Sequence, residues 1–297
     1  MLHMEEKMTK LSERAMLACL HIGCWSGSSH DREVTEEVSE RHKADSKDAG
    51  RYSKQLISKK ALHHVNSVAG VARRTHKLLT LPWEDDGSRI LSTIGYQAYT
   101  EQMRLKRLAF EAATTQFCEQ LPEFINEAKT RLGSMFEAGD YDDVETIRKK
   151  FSIDVEIKPV PEAGDFRAAL SDQSTKAIVK DIERRTDMRL EAAMKDVFLR
   201  VADVTEKMVE RLRAYKPGNG EPAQNLFRDS LIYNVQELGG LLPSLNITGD
   251  KRLFDLSTKL DALTEHAPEV LREDDKLREQ TAAAAEKILK KVRDYMG

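Results

Sequence analysis

Between residues 171 and 216 the sequence carries a helical pattern without a break, longer than any other stretch in the chain. Apolar residues recur at Ile178, Ile182, Leu190, Ala193, Val197, Val201, Val204, Met208, Leu212 and Tyr215, with Thr186 filling the one gap, so every step is three or four residues. Neither Pro nor Gly interrupts it. Ser171, Asp172 and Ser174 offer N-cap oxygens at the start, and the run Lys216-Pro217-Gly218-Asn219-Gly220 is a strong stop. At 1.5 Å per residue such a helix is roughly 60 to 65 Å long. One short neighbour cannot cover an apolar stripe of that length. It must be buried by several helices of the same chain or by a second copy.

Elsewhere the pattern is mixed. Residues 16–22 alternate and end at Gly23, which predicts a short strand and then a loop through Trp25 to Ser29. An acidic helix is expected over 31–43, a polar linker over 44–50, and a helix over 51–80 with Ile57, Ala61, Val65, Val68, Ala72 and Leu79 on one side. Leu81-Pro82 closes that helix, a turn at 83–87 follows, and residues 88–94 read as a second strand. A strong helix over 96–121 meets Pro122, which permits a kink or restart before 124–136, and 143–150 is a short helix. Residues 151–158 alternate most cleanly, so Phe151, Ile153, Val155 and Ile157 should face the core. After the long helix, helices are expected over 224–242, broken late by Gly239-Gly240 and stopped by Pro243, then over 250–263 and 268–296. The expected fold is therefore α+β and predominantly α-helical. Residues 1–165 should form a domain with two or three short strands packed on helices, and residues 171–297 a helical bundle built on the long helix.

The strongest local signal is charge. From Ala49 through Trp83 there is no Asp or Glu, but seven Lys or Arg and three His. On a helix, Lys59, His63, Asn66, Gly70, Arg73 and Lys77 fall on one strip opposite the apolar side, with Lys60, Ser67 and Arg74 beside it and Lys54 near its start. Fixed cations, amide and hydroxyl groups, and a glycine that allows close backbone approach are what phosphate contacts require. Nucleic acid is therefore the expected ligand, with Lys54, Lys59, Lys60, His63, Arg73, Arg74 and Lys77 as contacts, and Arg104, Lys106 and Arg107 on the next helix as an extension. Two plainer readings compete: pairing of this face with the acidic residues 33–40, or a solvated surface. The net charge of −3 excludes a uniformly basic protein, so the attraction would be local.

Other constellations are weaker. Cys19-x-His21-x-x-Cys24 lacks the further ligands a zinc site needs, and with Cys118 makes an odd thiol count without a signal peptide in residues 1–10, which reads as reduced cytoplasmic cysteines. The acidic clusters Glu84-Asp85-Asp86 and Asp140-Tyr141-Asp142-Asp143 could hold Mg²⁺ for a nuclease, but adjacent carboxylates in turns are more often caps. Nucleophile motifs and phosphate-binding glycine loops are missing, and Asn246-Ile247-Thr248 reads as a turn rather than a glycosylation site. No apolar run is long enough for a membrane span. No catalytic residue, metal or cofactor is expected. The long helix itself suggests a second class of function, an oligomeric scaffold, coiled coil or host-factor binder.

Several stretches together resemble a family of tailed-bacteriophage and prophage proteins of this length, defined only as a domain of unknown function. They are Leu20-His21-Ile22-Gly23-Cys24-Trp25-Ser26-Gly27, Leu81-Pro82-Trp83 with Asp86-Gly87-Ser88-Arg89-Ile90-Leu91, Val160-Pro161 with Gly164-Asp165-Phe166-Arg167, and Leu242-Pro243 with Leu245-Asn246-Ile247-Thr248-Gly249-Asp250. The resemblance implies a phage-encoded protein of the host bacterial cytoplasm, used in DNA metabolism or in contacts with a host or phage protein. It carries over no activity and no site residues.

Overall fold

The computed structural model describes residues 10–45, 47–162, 172–218 and 223–296. In chain order the elements are α1 (Leu11–Arg14), β1 (Ala15–Gly23), β2 (Ser28–His30), α2 (Arg32–His42), β3 (Ser53–Gln55), α3 (His63–Leu79), β4 (Leu81–Pro82), β5 (Arg89–Ser92), α4 (Tyr96–Leu132), α5 (Val144–Arg148), β6 (Ser152–Pro159), α6 (Asp172–Ala214), α7 (Ser230–Leu245), α8 (Lys251–Leu263), α9 (Pro268–Glu273) and α10 (Asp275–Met296). The fold is α+β and mostly helical, with one sheet of order β4-β5-β1-β6 and a two-stranded sheet β2-β3.

The chain forms two compact units that interleave in sequence. One comprises Met1–Cys19, Lys77–Tyr99 and Ile157–Gly297; the other comprises Leu20–His76 and Thr100–Glu156. This replaces the expected division into 1–165 and 171–297. The reason is strand pairing at long range: the start of β1 pairs antiparallel with β5 (Ala15 opposite Ser92), and β5 with β4 (Leu81 opposite Ile90), which ties the early chain to the unit of the late helices.

In the first unit the core runs along the second half of α6. Its buried residues begin at Ala193 and continue through Val197, Val201, Met208 and Leu212. Around them pack Val235, Leu238 and Leu242 of α7, Leu253, Leu256 and Leu260 of α8, and Ala282, Ala285 and Val292 of α10, each 4% exposed or less. The guanidinium of Arg252 lies 5.3 Å from the Phe198 ring and 5.1 Å from the Tyr295 ring, adding cation–π contacts between α8 and the two helices it covers. Residues 172–192, by contrast, contain no buried side chain.

Two expected interruptions are absent. α7 runs through Gly239-Gly240 and Pro243 to Leu245, three residues past the predicted end. A side chain at Gly239 would meet Asp261 Oδ1 at 2.9 Å and Leu260 Cβ at 3.3 Å, so this glycine makes room for α8 against α7 rather than breaking the helix. Pro122 likewise sits inside the single helix α4 without ending it. The reverse error occurs at 268–296, which is two helices, α9 and α10, joined at Asp274. Ser171, which was expected to cap α6, and Gly164 to Arg167, within one of the quoted motifs, lie outside the described residues, as do Asn219 and Gly220 of the stop signal.

The second unit is built on α3 and α4. Val65 and Ala69 of α3 share a core with Phe110, Ala113, Phe117, Cys118 and Leu121 of α4, together with Trp25, Leu56, Ile57, Leu62, Ile147 and Phe151. Phe117 is its centre, with ring centroids of Trp25 at 6.2 Å, Phe151 at 5.5 Å and Phe124 at 5.8 Å. In β6 the alternation is present but shallow: Ile153 and Val155 are half-buried and Ile157 is 40% exposed, so the expectation that Ile157 faces the core is corrected.

Candidate nucleic-acid interface

The helix expected over 51–80 begins only at His63. Before it, Ser53–Gln55 is strand β3, paired antiparallel with β2 so that Ser29 stands opposite Lys54. Local spacing permitted a helix here, but tertiary pairing overrides it. The ammonium of Lys54 lies 2.7 Å from Asp140 Oδ2 and 3.3 Å from Asp31 Oδ2, donates to the Met135 carbonyl at 3.0 Å, and the residue is 4% exposed. The Asp140 carboxylate, with Asp31 behind it, holds the Lys54 ammonium above the usual lysine range despite the opposing effect of burial. Lys54 is therefore a structural tie between the cap of α2, β3 and the turn before α5. It is withdrawn from the set of ligand contacts.

From His63 onward the amphipathic reading holds. Val65, Ala69, Ala72 and His76 are buried. Asn66, Ser67, Arg73, Arg74 and Lys77 are exposed on the opposite side, with Gly70 half-buried among them. Lys59 and Lys60 lie in the turn that leads into the helix and are exposed, as is His63. That turn is organised by Ser58, whose Oγ accepts from the Ala61 amide at 3.2 Å. At the other end the last carbonyls of α3 are satisfied by two arginines. Arg200 donates to the carbonyls of Leu78 (2.8 Å), Lys77 (2.9 Å) and Thr80 (2.8 Å), and Arg89 to the Thr80 hydroxyl (2.8 Å) and carbonyl (3.0 Å). Positive groups at a helix C-terminus also complement its dipole. Arg89 follows α3 by ten residues inside β5, whereas Arg200 is more than a hundred residues away and looks like any cation placed four residues after an acid, here Asp196. Nothing in the sequence marked them.

Among the described residues, no carboxylate forms an ion pair with Lys59, Lys60, His63, Arg73, Arg74 or Lys77. The competing expectation, that residues 33–40 neutralise this face, is not met by any described contact: the ion pair of α2 is internal, Arg41 to Glu37 at 2.5 Å. Arg73 lies against the Cys24 thiol, which burial pushes up and Arg73 only partly restores; the contact carries no carboxylate, so it does not neutralise the guanidinium. The proposed extension onto α4 is largely lost. Arg104 is held by Glu101 at 2.8 Å and Arg107 by Asp154 at 2.9 Å; Lys106 is half-buried.

The acidic clusters are occupied by structural work. Glu84 pairs with Arg189 at 2.7 Å. Asp86 accepts from the amide (2.8 Å) and hydroxyl (3.1 Å) of Ser88, which holds its carboxyl below the usual range. In the second cluster Asp140 faces Lys54, Asp142 pairs with Lys150 at 2.5 Å, and Asp143 caps α5 by accepting from Thr146. Cys19 Sγ lies 3.2 Å from Ser88 Oγ, and all three cysteines are free thiols. Among the described residues no three His, Cys, Asp or Glu are grouped to hold a metal, and no helix is long and apolar enough to cross a membrane. Asn246 is buried at 6% exposure, its side chain closing a turn through the amide and carbonyl of Asp250. No protein-family model, curated protein or solved structure matches the chain.

Proposed function

We propose that this chain is a non-enzymatic, phage-encoded protein of the host cytoplasm that binds nucleic acid through the exposed face of α3. The observation that carries the reading is the set of exposed cations Lys59, Lys60, Arg73, Arg74 and Lys77, with His63, none paired with a carboxylate among the described residues. Interspersed Asn66 and Ser67 add hydrogen-bonding groups. Like charges left unpaired on one helix face repel one another, and a polyanion removes that repulsion while releasing its own counterions. The engagement of both acidic clusters in caps and ion pairs weighs against a two-metal nuclease. Phage origin rests on the resemblance of the turn motifs alone. The direct test is retention of labelled DNA in low salt by the parent protein and by the variant carrying Arg73→Glu, Arg74→Glu and Lys77→Glu. Retention by the parent and its loss in the variant is expected, and equal retention by both would remove α3 from the reading.

A second reading, self-association through the long helix, has its own observation. Residues 172–192 of α6 carry Ile178, Ile182 and Leu190 only half-buried and Met188 57% exposed, whereas from Ala193 onward every member of the same stripe but Val204 is buried. Light scattering at micromolar concentration should then report a mass above one chain, and a monomer mass would count against it.

A further inference from the structure

We infer that the nucleic acid this face fits is B-form duplex DNA, with α3 lying in the major groove; the inference rests on the reading above and narrows it. Three features of the helix point there. The sequence of α3, HHVNSVAGVARRTHKLL, contains no Phe, Tyr or Trp. Proteins that hold single strands stack successive bases on large aromatic rings, and here the strip offers only the imidazoles of His63 and His64 at its very start; the exposed Tyr52 lies before β3, off the helix. Second, the cations are not spread evenly. Lys59, Lys60 and His63 gather at one end and Arg73, Arg74 and Lys77 at the other, so that His63 and Arg74 stand about 16 Å apart along the axis at 1.5 Å per residue. A straight helix lying along the major groove diverges from the curving groove at its two ends, so the two groups of cations stand where the phosphates of the walls come within reach.

Third, the stretch between them is short and uncharged. Asn66, Ser67 and Gly70 can approach base edges, and a side-chain amide is suited to the paired donor and acceptor of adenine. The Gly70 side of the helix is open: a Cβ there would meet only the Arg74 side chain, at 3.5 Å. An A-form RNA duplex does not admit α3 in this way, because its major groove is too deep and narrow for a helix.

The experiment measures affinity for one sequence as duplex DNA, single-stranded DNA and duplex RNA, and for duplex DNA of several other sequences, over a salt series, for the parent chain and for Gly70→Leu and Asn66→Ala. Duplex DNA should bind at least about tenfold tighter than the other two, with a log–log salt slope near −4 to −5 for about five phosphates. Gly70→Leu should raise the unfolding midpoint, since leucine is the better helix former, and yet weaken duplex binding about tenfold by filling the space next to the bases. Asn66→Ala should narrow the difference between duplexes of different sequence and leave the salt slope unchanged. Equal or tighter binding of single strands or RNA, or a Gly70→Leu protein that binds duplex as well as the parent, overturns the groove placement while leaving nucleic-acid binding intact. Failure of the parent to bind any of the three at low salt overturns both.

Discussion

α3 and α10 are both rich in positive charge, but they use it in opposite ways. On α10 and the helix it packs against, Lys291 lies 2.8 Å from Asp255, Arg293 2.6 Å from Glu206, and Arg213 of α6 2.8 Å from Glu286. On α3 the exposed cations have no such partners among the described residues. The sequence difference behind this is simple: α10 and its neighbours alternate acids with bases, while Ala49 to Trp83 contains no acid. Mixed signs let helices satisfy one another within the chain. A single sign leaves that satisfaction to something outside it. Lys54 marks the boundary between the two behaviours, since it lies in the same acid-free stretch but reaches carboxylates from distant segments.

Four measurements can break or sharpen this contrast. The largest effect is expected for Lys54→Met, which leaves Asp31 and Asp140 facing each other without their cation. Breaking a buried pair costs about 3 to 5 kcal/mol, and urea unfolding should show it without any direct change to the α3 face. Next, the triple glutamate variant of Arg73, Arg74 and Lys77 should lose about 100-fold or more in DNA affinity at low salt, and the triple alanine variant should also lose affinity while its thermal midpoint stays level or rises, because it removes repulsion. A lowered midpoint would mean that these residues hold the fold together and that the contrast is false.

A smaller effect follows from acid. The amide of Val34, and Lys54 with it, keeps the Asp31 carboxyl below its ordinary value near 3.8. A depressed carboxyl contributes stability that is present above its unfolded value and is lost as pH falls through the folded one. Stability should therefore decline below about pH 4, and Asp31→Asn should be destabilised at neutral pH but show a flatter acid limb in midpoint-versus-pH series. The smallest effect is expected for Arg293→Ala: exposed pairs contribute little, so neither DNA retention nor the urea midpoint should move beyond error.

The long helix was legible because its evidence is local, ten apolar residues at helical steps with no breaker between them. The face of α3 was legible for the same reason from His63 onward. What failed depended on partners far away. Ile57 and Ala61 continue the helical spacing into residues that pair as strand β3, and only Asp31 and Asp140 explain where Lys54 goes. Gly239 reads as a breaker until α8 is seen against it, and Ile157 reads as core from an alternation that does not say how deeply the strand is covered. Arg200 and Arg89, which complete the end of α3, could not be found at all, because the carbonyls they serve carry no sequence signature.

The interleaving of the two units also sets a timetable for synthesis. The unit holding residues 63–76 of α3 contains no residue beyond Glu156, so it can pack while the ribosome is still making the long helix, whose Arg200 later completes the end of α3. Its companion must keep β1 and β5 waiting until the last helices emerge, which leaves their apolar residues exposed for that interval. A nascent chain stalled once residue 156 has left the ribosomal exit tunnel should therefore already protect residues 63–76 of α3 from protease, and the late helices should decide how much of the finished product escapes aggregation.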